Sequence, residues 1–127
     1  MTKKCFLTQK GPKAIGPYST ANICGSLCFM SGMLGIDPAT GALAEGGVEA
    51  QARQAMNNIG AVLGELKLTP AKVLKTTVFL KDLNDFGKVN AIYGDFFGQD
   101  YPARSCVEVA RLPMDALVEV EVIASIE

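Results

Sequence analysis

Two charged side chains near the carboxyl end of the chain have the types and spacing to handle a small anion. Arg104 and Glu119 lie in two segments, 102–109 and 117–126, that alternate between apolar and polar residues with the period of two typical of β-strands. A guanidinium binds an anionic group through a planar fork of donors, and a carboxylate can accept a proton. A short turn with Pro113 joins the two strands. Arg104 and Glu119 could therefore converge at one place on a sheet.

The residue types that are missing narrow the chemistry further. The 127 residues include no histidine, which removes Ser-His and Cys-His nucleophilic pairs and argues against zinc and haem sites. No glycine-rich phosphate loop is present. We interpret the four cysteines as small hydrophobic residues without disulfides; they are Cys5, Cys24, Cys28 and Cys106. We therefore expect the protein to use neither a metal nor an organic cofactor.

The charge pattern argues against nucleic-acid and membrane partners. Twelve Lys and Arg against thirteen Asp and Glu leave a net charge of -1, without a polybasic or polyacidic run. No apolar segment is long enough to span a bilayer, and no secretory or mitochondrial targeting segment is recognisable. We expect a single-domain cytoplasmic protein over residues 1–127.

The first third of the chain is predicted to be β-structure around one irregular loop. Residues 4–8 form a short strand candidate, and two Gly-Pro pairs shape the loop that follows. Tyr18 lies at the exit of this loop, where from the residues alone we interpret it as a packing residue with a satisfied hydroxyl. Residues 21–24 and 27–32 then read as a hairpin about Gly25-Ser26.

Two amphipathic helices follow, separated by a strand. From Val48, apolar residues recur at steps of three and four for about five turns. The other side of this helix is predicted to be solvated; it carries Gln51, Arg53, Gln54, Asn58 and Glu65. Residues 73–80 form a strand rich in β-branched residues, and Asn84 is predicted to cap the second helix. Asn90 interrupts the apolar stripe of that helix, so we expect its amide to be hydrogen-bonded, with a neighbouring loop as the favoured partner.

The predicted order β-β-β-α-β-α-β-β gives a two-layer α+β domain with both helices on one face of a mixed sheet. The other face would carry Arg104, Glu119 and Glu121 among apolar residues such as Ile123. A mixed face of this kind is too apolar to stay wet, so we expect identical subunits to bury it around a closed axis.

Several stretches of the sequence resemble the Rid (reactive intermediate deaminase) family, most closely its RidA branch. The most specific stretch is 102–113, with Val-Glu-Val-Glu following at 118–121. The shorter matching stretches are 14–19, 31–32, 73–78, 85–86 and 89–90. Together they spread over nearly the whole chain.

The resemblance implies a chorismate-mutase-like trimer in which three sheets form a central β-barrel with helices outside and sites in the clefts between subunits. It also implies an activity without cofactors. Rid proteins hydrolyse the enamine and imine intermediates 2-aminoacrylate, 2-iminopropanoate and 2-iminobutanoate, which PLP-dependent dehydratases release from serine and threonine. The products are 2-oxo acids and ammonia.

The resemblance assigns roles to individual positions. Arg104 matches the arginine that binds the substrate carboxylate, Glu119 the glutamate beside the reacting water, and Tyr18 the tyrosine of the site loop. The matched positions that line or brace the pocket are Ser31, Gly32, Asn90 and Cys106. Met33 departs from the pattern, because many relatives have a glutamine there that a thioether cannot replace as a hydrogen-bonding group.

Two other functions stay open at this point. Some relatives are described as RNA-cleaving inhibitors of translation, although the net charge of -1 gives a poor footprint for RNA. A chaperone or regulatory trimer could also bind ligands in the same clefts without turning them over.

Overall fold

A computed structural model describes residues 2–127 of the chain. It has six strands and two α-helices in the predicted order, together with three short 3-10 turns. The strands are β1 (Lys4–Phe6), β2 (Ala21–Cys24), β3 (Leu27–Leu34), β4 (Val73–Leu80), β5 (Ala103–Glu108) and β6 (Val118–Ser125), and the helices are α1 (Gly47–Glu65) and α2 (Phe86–Phe97). The two-layer α+β prediction is thus confirmed.

The six strands form one mixed sheet in the order β1-β2-β3-β6-β4-β5. β4 and β5 run parallel, and all other neighbours are antiparallel. The two carboxyl-terminal strands are therefore not neighbours, because β4 lies between β5 and β6. The expectation that Arg104 and Glu119 converge on adjacent strands was wrong.

Both helices cover the same face of the sheet, as predicted. The main core lies between the helices and the sheet. Its almost fully buried side chains include Ile59, Leu63, Val78, Val118 and Val120. Val120 and its neighbours on β6 alternate inward with the strand period of two, as the apolar face of this segment predicts. Met33, 6% exposed and opposite Val120, also belongs to this core. Its thioether is therefore a packing group on the helix side.

The polar side of α1 is only partly solvated, contrary to the prediction: Arg53 is exposed, but Gln51 and Asn58 are buried. The Asn58 amide is 2% exposed and donates hydrogen bonds to the Leu34 and Ile36 carbonyls at 3.2 and 2.8 Å. Gln51 is 7% exposed and its side-chain oxygen accepts from the Leu117 amide at 2.8 Å. These two residues satisfy the backbone of loops that cross the sheet's ends, which a solvated helix face would not do.

The Glu65 carboxylate performs the same task for the amino-terminal loop. It accepts from the Gln9 amide at 2.9 Å and the Lys10 amide at 3.1 Å, and also from the Thr8 hydroxyl. Burial by itself raises the pKa of Glu65, but these hydrogen bonds and the charge of Lys10 outweigh it, so the pKa is lowered. The loop before Tyr18 is thus fixed to the carboxyl end of α1.

The start of α2 also differs from the prediction. A 3-10 turn at Leu83–Asp85 precedes the helix, and the Asp82 carboxylate accepts from the Asn84 amide at 2.9 Å. Asn84 therefore does not cap the helix with its side chain. Asp82 occupies the capping role one turn earlier, because a carboxylate serves that purpose as well as an amide.

Arg104 and Glu119 lie on opposite faces of the sheet, contrary to the prediction. Arg104 pairs with Thr76, which is 1% exposed beneath α2, so Arg104 faces the helices. Glu119 pairs with Phe79 and Leu34 on the opposite, helix-free face, which also carries Glu121 and Ile123. The prediction that placed Arg104 beside Glu119 on the helix-free face was wrong. α2 connects the parallel strands β4 and β5 and covers the face on which Arg104 lies.

Candidate functional site

The Arg104 guanidinium is held by the first half of α2. Its Nη1 donates to the Asn90 side-chain oxygen at 2.8 Å. The guanidinium carbon lies 4.8 Å from the centroid of the Tyr93 ring and 5.4 Å from that of Phe86, both distances at which a cation is attracted by an aromatic face. Arg104 is consequently preorganised, although it is only half-buried.

The ring that supports Arg104 is itself fixed. The Tyr93 and Thr76 hydroxyls share a hydrogen bond of 2.6 Å, and both residues are buried. Thr76 is also the β4 partner of Arg104. Burial raises the pKa of Tyr93 despite the hydrogen bond from Thr76 and the nearby charge of Arg104, which keeps the phenol neutral. The neutral Tyr93 ring contacts the guanidinium with its face. Because the phenol is not ionised, it does not compete with an anionic ligand for Arg104.

A groove of about 290 Å³ opens beside Arg104. It lies between α2 and the segment that enters β5, and its lining is Asn90, Tyr93, Gly94, Tyr101, Pro102 and Arg104. Asn90 occupies one guanidinium donor out of the five that arginine carries. The arrangement can bind a small carboxylate with the remaining donors.

Glu119 lies in a largely apolar place on the other face. Its partners across the strands, Leu34 and Phe79, belong to a second small cluster with Leu112 and Ala116. Burial, followed by repulsion from Glu121 two residues along the strand, raises the pKa of Glu119 above its usual value. A carboxylate of raised pKa is a stronger proton acceptor than an ordinary one.

A β-bulge in β3 lies against Glu119. Met30 pairs with Val122 and Met33 with Val120. Ser31 and Gly32 together therefore oppose the single residue Glu121. The Ser31 hydroxyl donates to the Ser19 carbonyl at 2.7 Å, directly after Tyr18. The bulge thus connects the segment of Tyr18 to the strand beside Glu119.

Tyr18 lies at the surface and is 44% exposed. Its hydroxyl accepts a hydrogen bond from the Ile15 amide at 3.2 Å. The hydroxyl is satisfied, as predicted from the residues alone, but the ring is not packed in a core. An exposed ring on a fixed loop remains free to contact a ligand or another subunit.

The structure therefore divides the predicted site residues into two groups. Arg104, Asn90 and Cys106 lie on the helix face, while Glu119 lies on the helix-free face and the Ser31-Gly32 bulge, tied to the Tyr18 loop, lies beside it. Burial raises the pKa of the Cys106 thiol, with partial relief from the charge of Arg104. A protonated thiol is a poor nucleophile, which argues against a nucleophilic role for Cys106.

Sequence reasoning missed Tyr93 and Phe86 as supports of Arg104. Their spacing along α2 marks them only as members of its apolar stripe, together with Val89, Phe96 and Phe97, and the partner expected for Asn90 was a neighbouring loop. The available signal was the βαβ order of β4, α2 and β5, which favours parallel neighbours with the helix across their face.

No group of three or more His, Cys, Asp or Glu side chains within residues 2–127 is placed to hold a metal ion. Neither helix of this described part combines the length and apolarity of a membrane-spanning segment.

The chain matches the sequence pattern of a known family, Endoribonuclease L-PSP, over residues 8–126. It belongs to this family. The chain is 50% identical over 124 residues to the 2-iminobutanoate/2-iminopropanoate deaminase of Salmonella typhimurium, and the match covers 95% of this chain and 96% of that protein. The resemblance to RidA proteins is thereby confirmed.

Solved structures of the L-PSP family have the same fold. A Rid-family protein, YyfA from Yersinia pestis, has a TM-score of 0.94 and 46% identity, covering 98% of this chain and 99% of that one. TdcF from E. coli, solved with bound serine, has a TM-score of 0.90 and 42% identity, covering 96% of this chain and 98% of that one.

Proposed function

We propose that this L-PSP family member hydrolyses short 2-imino acids, namely 2-iminobutanoate and 2-iminopropanoate with their enamine tautomers, to 2-oxo acids and ammonia. The observation that carries the proposal is the preorganised guanidinium of Arg104, held by Asn90 and two aromatic faces beside an open groove. The identity with the Salmonella deaminase and the serine bound to TdcF support a small substrate with a carboxylate.

Arg104 would hold the substrate carboxylate through a pair of its free N–H groups, which fixes the orientation of the adjacent imine carbon. Lysine or a mobile arginine would bind the charge without fixing the plane. Stacking of the guanidinium on Tyr93 and Phe86 therefore contributes to orientation as well as to affinity.

Glu119 would accept and return the protons that move when water attacks the imine carbon. Water adds to the C=N carbon while Glu119 accepts one of its protons, and Glu119 passes that proton to the imine nitrogen to give a neutral carbinolamine. Glu119 then accepts the hydroxyl proton of the carbinolamine and passes it to the amino nitrogen, the C–N bond breaks, and ammonia leaves as the C=O bond of the 2-oxo acid forms. Protons and electrons balance without a metal, an oxidant or an organic cofactor.

Arg104 and Glu119 face opposite sides of one sheet, so a site that uses both requires two copies of the chain. We infer a homotrimer with sites in the clefts between subunits and a barrel of three sheets inside. Apolar side chains on the helix-free face support this assembly, including Phe29, which is 45% exposed. Sedimentation equilibrium tests it, and a stable monomer at micromolar concentration would remove the shared site.

The decisive assay couples the protein to a PLP-dependent threonine dehydratase. 2-Oxobutanoate is measured with and without the protein while semicarbazide, a trapping amine, competes for the free imine. The protein should raise the rate of 2-oxobutanoate formation and lower the yield of trapped imine. Dialysis against a chelator should change neither result. No acceleration at any protein concentration would refute the deaminase proposal.

The family description names an endoribonuclease, so RNA cleavage is the alternative activity to be measured beside the deaminase. With a net charge of -1 we expect no salt-dependent RNA binding, because phosphate binding requires a cluster of basic groups. A labelled single-stranded RNA incubated with the same preparation tests this, and cleavage lost in Arg104→Lys would favour a phosphate role for the arginine.

A further inference from the structure

We propose that Gly32 is a positioning residue whose missing side chain provides the space in which the Glu119 carboxylate lies. A Cβ placed on Gly32 would be 2.6 Å from Glu119 Oε2, 2.7 Å from Cδ and 3.0 Å from Cγ. The carboxylate therefore rests on the Gly32 backbone. This inference depends on the proposed function only for the consequence that the position of Glu119 has for catalysis.

The backbone itself does not require glycine at this place. Positive φ angles occur at five glycines of the described chain, and Gly32 is not among them. An alanine can adopt the backbone conformation of Gly32 without strain. What excludes a methyl group is the Glu119 side chain, and this side chain is flexible enough to move away. Alanine should thus be tolerated by the fold and should displace the carboxylate.

The β-bulge explains why the two residues touch. Ser31 and Gly32 share one opposing position on β6, that of Glu121, so β3 is bent here and the Gly32 backbone lies against the side chain of Glu119, two residues before Glu121. The hydrogen bond from the Ser31 hydroxyl to the Ser19 carbonyl holds the bulge in place. The same bulge therefore fixes the loop of Tyr18 and the carboxylate of Glu119 relative to each other.

Within residues 2–127, the structure shows no hydrogen bond or ion pair to the Glu119 side chain. Leu34 on β3 and Phe79 on β4 are its uncharged neighbours, and Glu121 on its own strand repels it. Lys75, the only charged residue of β4, pairs with Ile123 four residues along β6. Shape, and not an ion pair within the subunit, fixes the carboxylate.

Gly32→Ala tests the proposal in the full-length protein. We expect kcat for 2-iminobutanoate to fall on the order of 100-fold, as for a displacement of about 1 Å, with KM nearly unchanged because Arg104 is untouched. In the Glu119→Ala background all three contacting atoms are absent, so adding Gly32→Ala should change the residual kcat less than about twofold. An unchanged kcat in the single variant, or a full additional loss in the double variant, would overturn the proposal.

Stability supplies a second test if Gly32→Ala folds poorly. If the methyl group clashes only with Glu119, the double variant Gly32→Ala/Glu119→Ala should melt at the same temperature as Glu119→Ala alone. A double variant that melts well below Glu119→Ala means a clash elsewhere and contradicts the proposal. The matched control is Gly64→Ala, at a glycine with no atom within 4 Å of the added Cβ and no positive φ.

Titration of the Glu119 carboxyl by 13C NMR separates this proposal from the deaminase activity. A carboxylate displaced toward water loses part of its burial, so Gly32→Ala should lower the pKa of Glu119 toward its usual value. The pKa should move in this way whether or not the wild-type protein hydrolyses imines. An unmoved pKa would refute the role of Gly32, whereas failure of the coupled assay alone would refute only the proposed reaction.

Discussion

Arg104 and Glu119 project from opposite faces of one sheet. Arg104 is aligned with Thr76 on β4, and Glu119 with Phe79, three residues further along the same strand. Three residues span roughly 10 Å, and the thickness of the sheet separates the side chains further. Under the proposed function, each protomer would therefore present two half-sites, a carboxylate-binding half beside α2 and a proton-accepting half on the helix-free face.

The carboxylate-binding half is tested by Arg104→Lys. Lysine keeps the charge but loses the planar fork and the stacked support of Tyr93 and Phe86. Disrupting a desolvated charge pair costs roughly 2 to 5 kcal/mol, so kcat/KM for 2-iminobutanoate should fall by about 30-fold to several thousand-fold. The fold and the assembly should persist.

The matched control is Arg53→Lys, which changes an exposed arginine on α1 and should leave kcat/KM unchanged. A folded Arg104→Lys variant that retained more than about a third of wild-type kcat/KM would cost less than the lower bound for such a pair. Arg104 would then not be the carboxylate clamp.

Asn90→Asp should convert the support of Arg104 into a competitor of the substrate. The new carboxylate would lie 2.8 Å from Nη1 in place of the amide oxygen, and would neutralise the guanidinium before the substrate arrives. We expect KM to rise by about tenfold or more, corresponding to about 1.4 kcal/mol, with a smaller change in kcat. Steady-state kinetics measures this, with Asn57→Asp on the exposed side of α1 as a control of equal charge.

Glu119→Gln should stabilise the protein while it abolishes turnover. Because burial and Glu121 raise the folded pKa of Glu119, the protonated carboxyl favours folding, and this contribution is complete below the unfolded pKa and lost as pH rises through the folded pKa. The uncharged amide avoids that loss. The gain in melting temperature should thus be larger near pH 7 than near pH 4, close to the unfolded value of about 4.3.

Thermal unfolding at both pH values measures the effect, with Glu45→Gln at an exposed position as the control. A gain of equal size at both pH values would mean that the change does not come from ionisation of Glu119.

Glu65→Gln should loosen the amino-terminal loop. The lowered folded pKa of Glu65 means that its carboxylate stabilises the fold above the unfolded pKa, and that the contribution is lost as pH falls through the folded pKa. Near neutral pH we expect a loss of about 1 kcal/mol and faster hydrogen exchange at the Gln9 and Lys10 amides, whose acceptor is weakened. Unchanged exchange at these two amides would contradict the role of Glu65 as an anchor.

The order and the approximate extent of the elements could be predicted because they follow from local patterns. The spacing of apolar residues from Val48 and the alternation along β6 each reflect one buried face. Residues close together in the sequence form each of these faces, so the local pattern is enough to predict it. The register of the first hairpin followed likewise from Gly25-Ser26, and Ile23 indeed pairs with Cys28.

The pairing of distant strands could not be predicted in the same way. The insertion of β4 between β5 and β6 depends on contacts far apart in sequence, and a strand's alternation shows two faces without showing which one meets the helices. Arg104 was assigned to the helix-free face for this reason. Buried polar residues such as Asn58 were missed because their partners are backbone carbonyls at and just beyond the end of β3, which no sequence pattern marks.

The most direct test of a site shared between neighbouring subunits is to mix two inactive variants. Arg104→Lys and Glu119→Gln subunits are unfolded together in equal amounts and refolded, or coexpressed with different tags. If each site takes Arg104 from one subunit and Glu119 from its neighbour, about a quarter of the sites in randomly mixed trimers pair two intact residues. The 2-iminobutanoate deaminase activity of the mixture is the quantity to be measured.

The account predicts about a quarter of wild-type activity in the mixture, against almost none in either variant refolded alone. The increase should disappear when the two variants are mixed after folding, if the trimers do not exchange subunits. Mixed trimers that form but remain as inactive as the separate variants would contradict a site shared between Arg104 and Glu119 of neighbouring subunits.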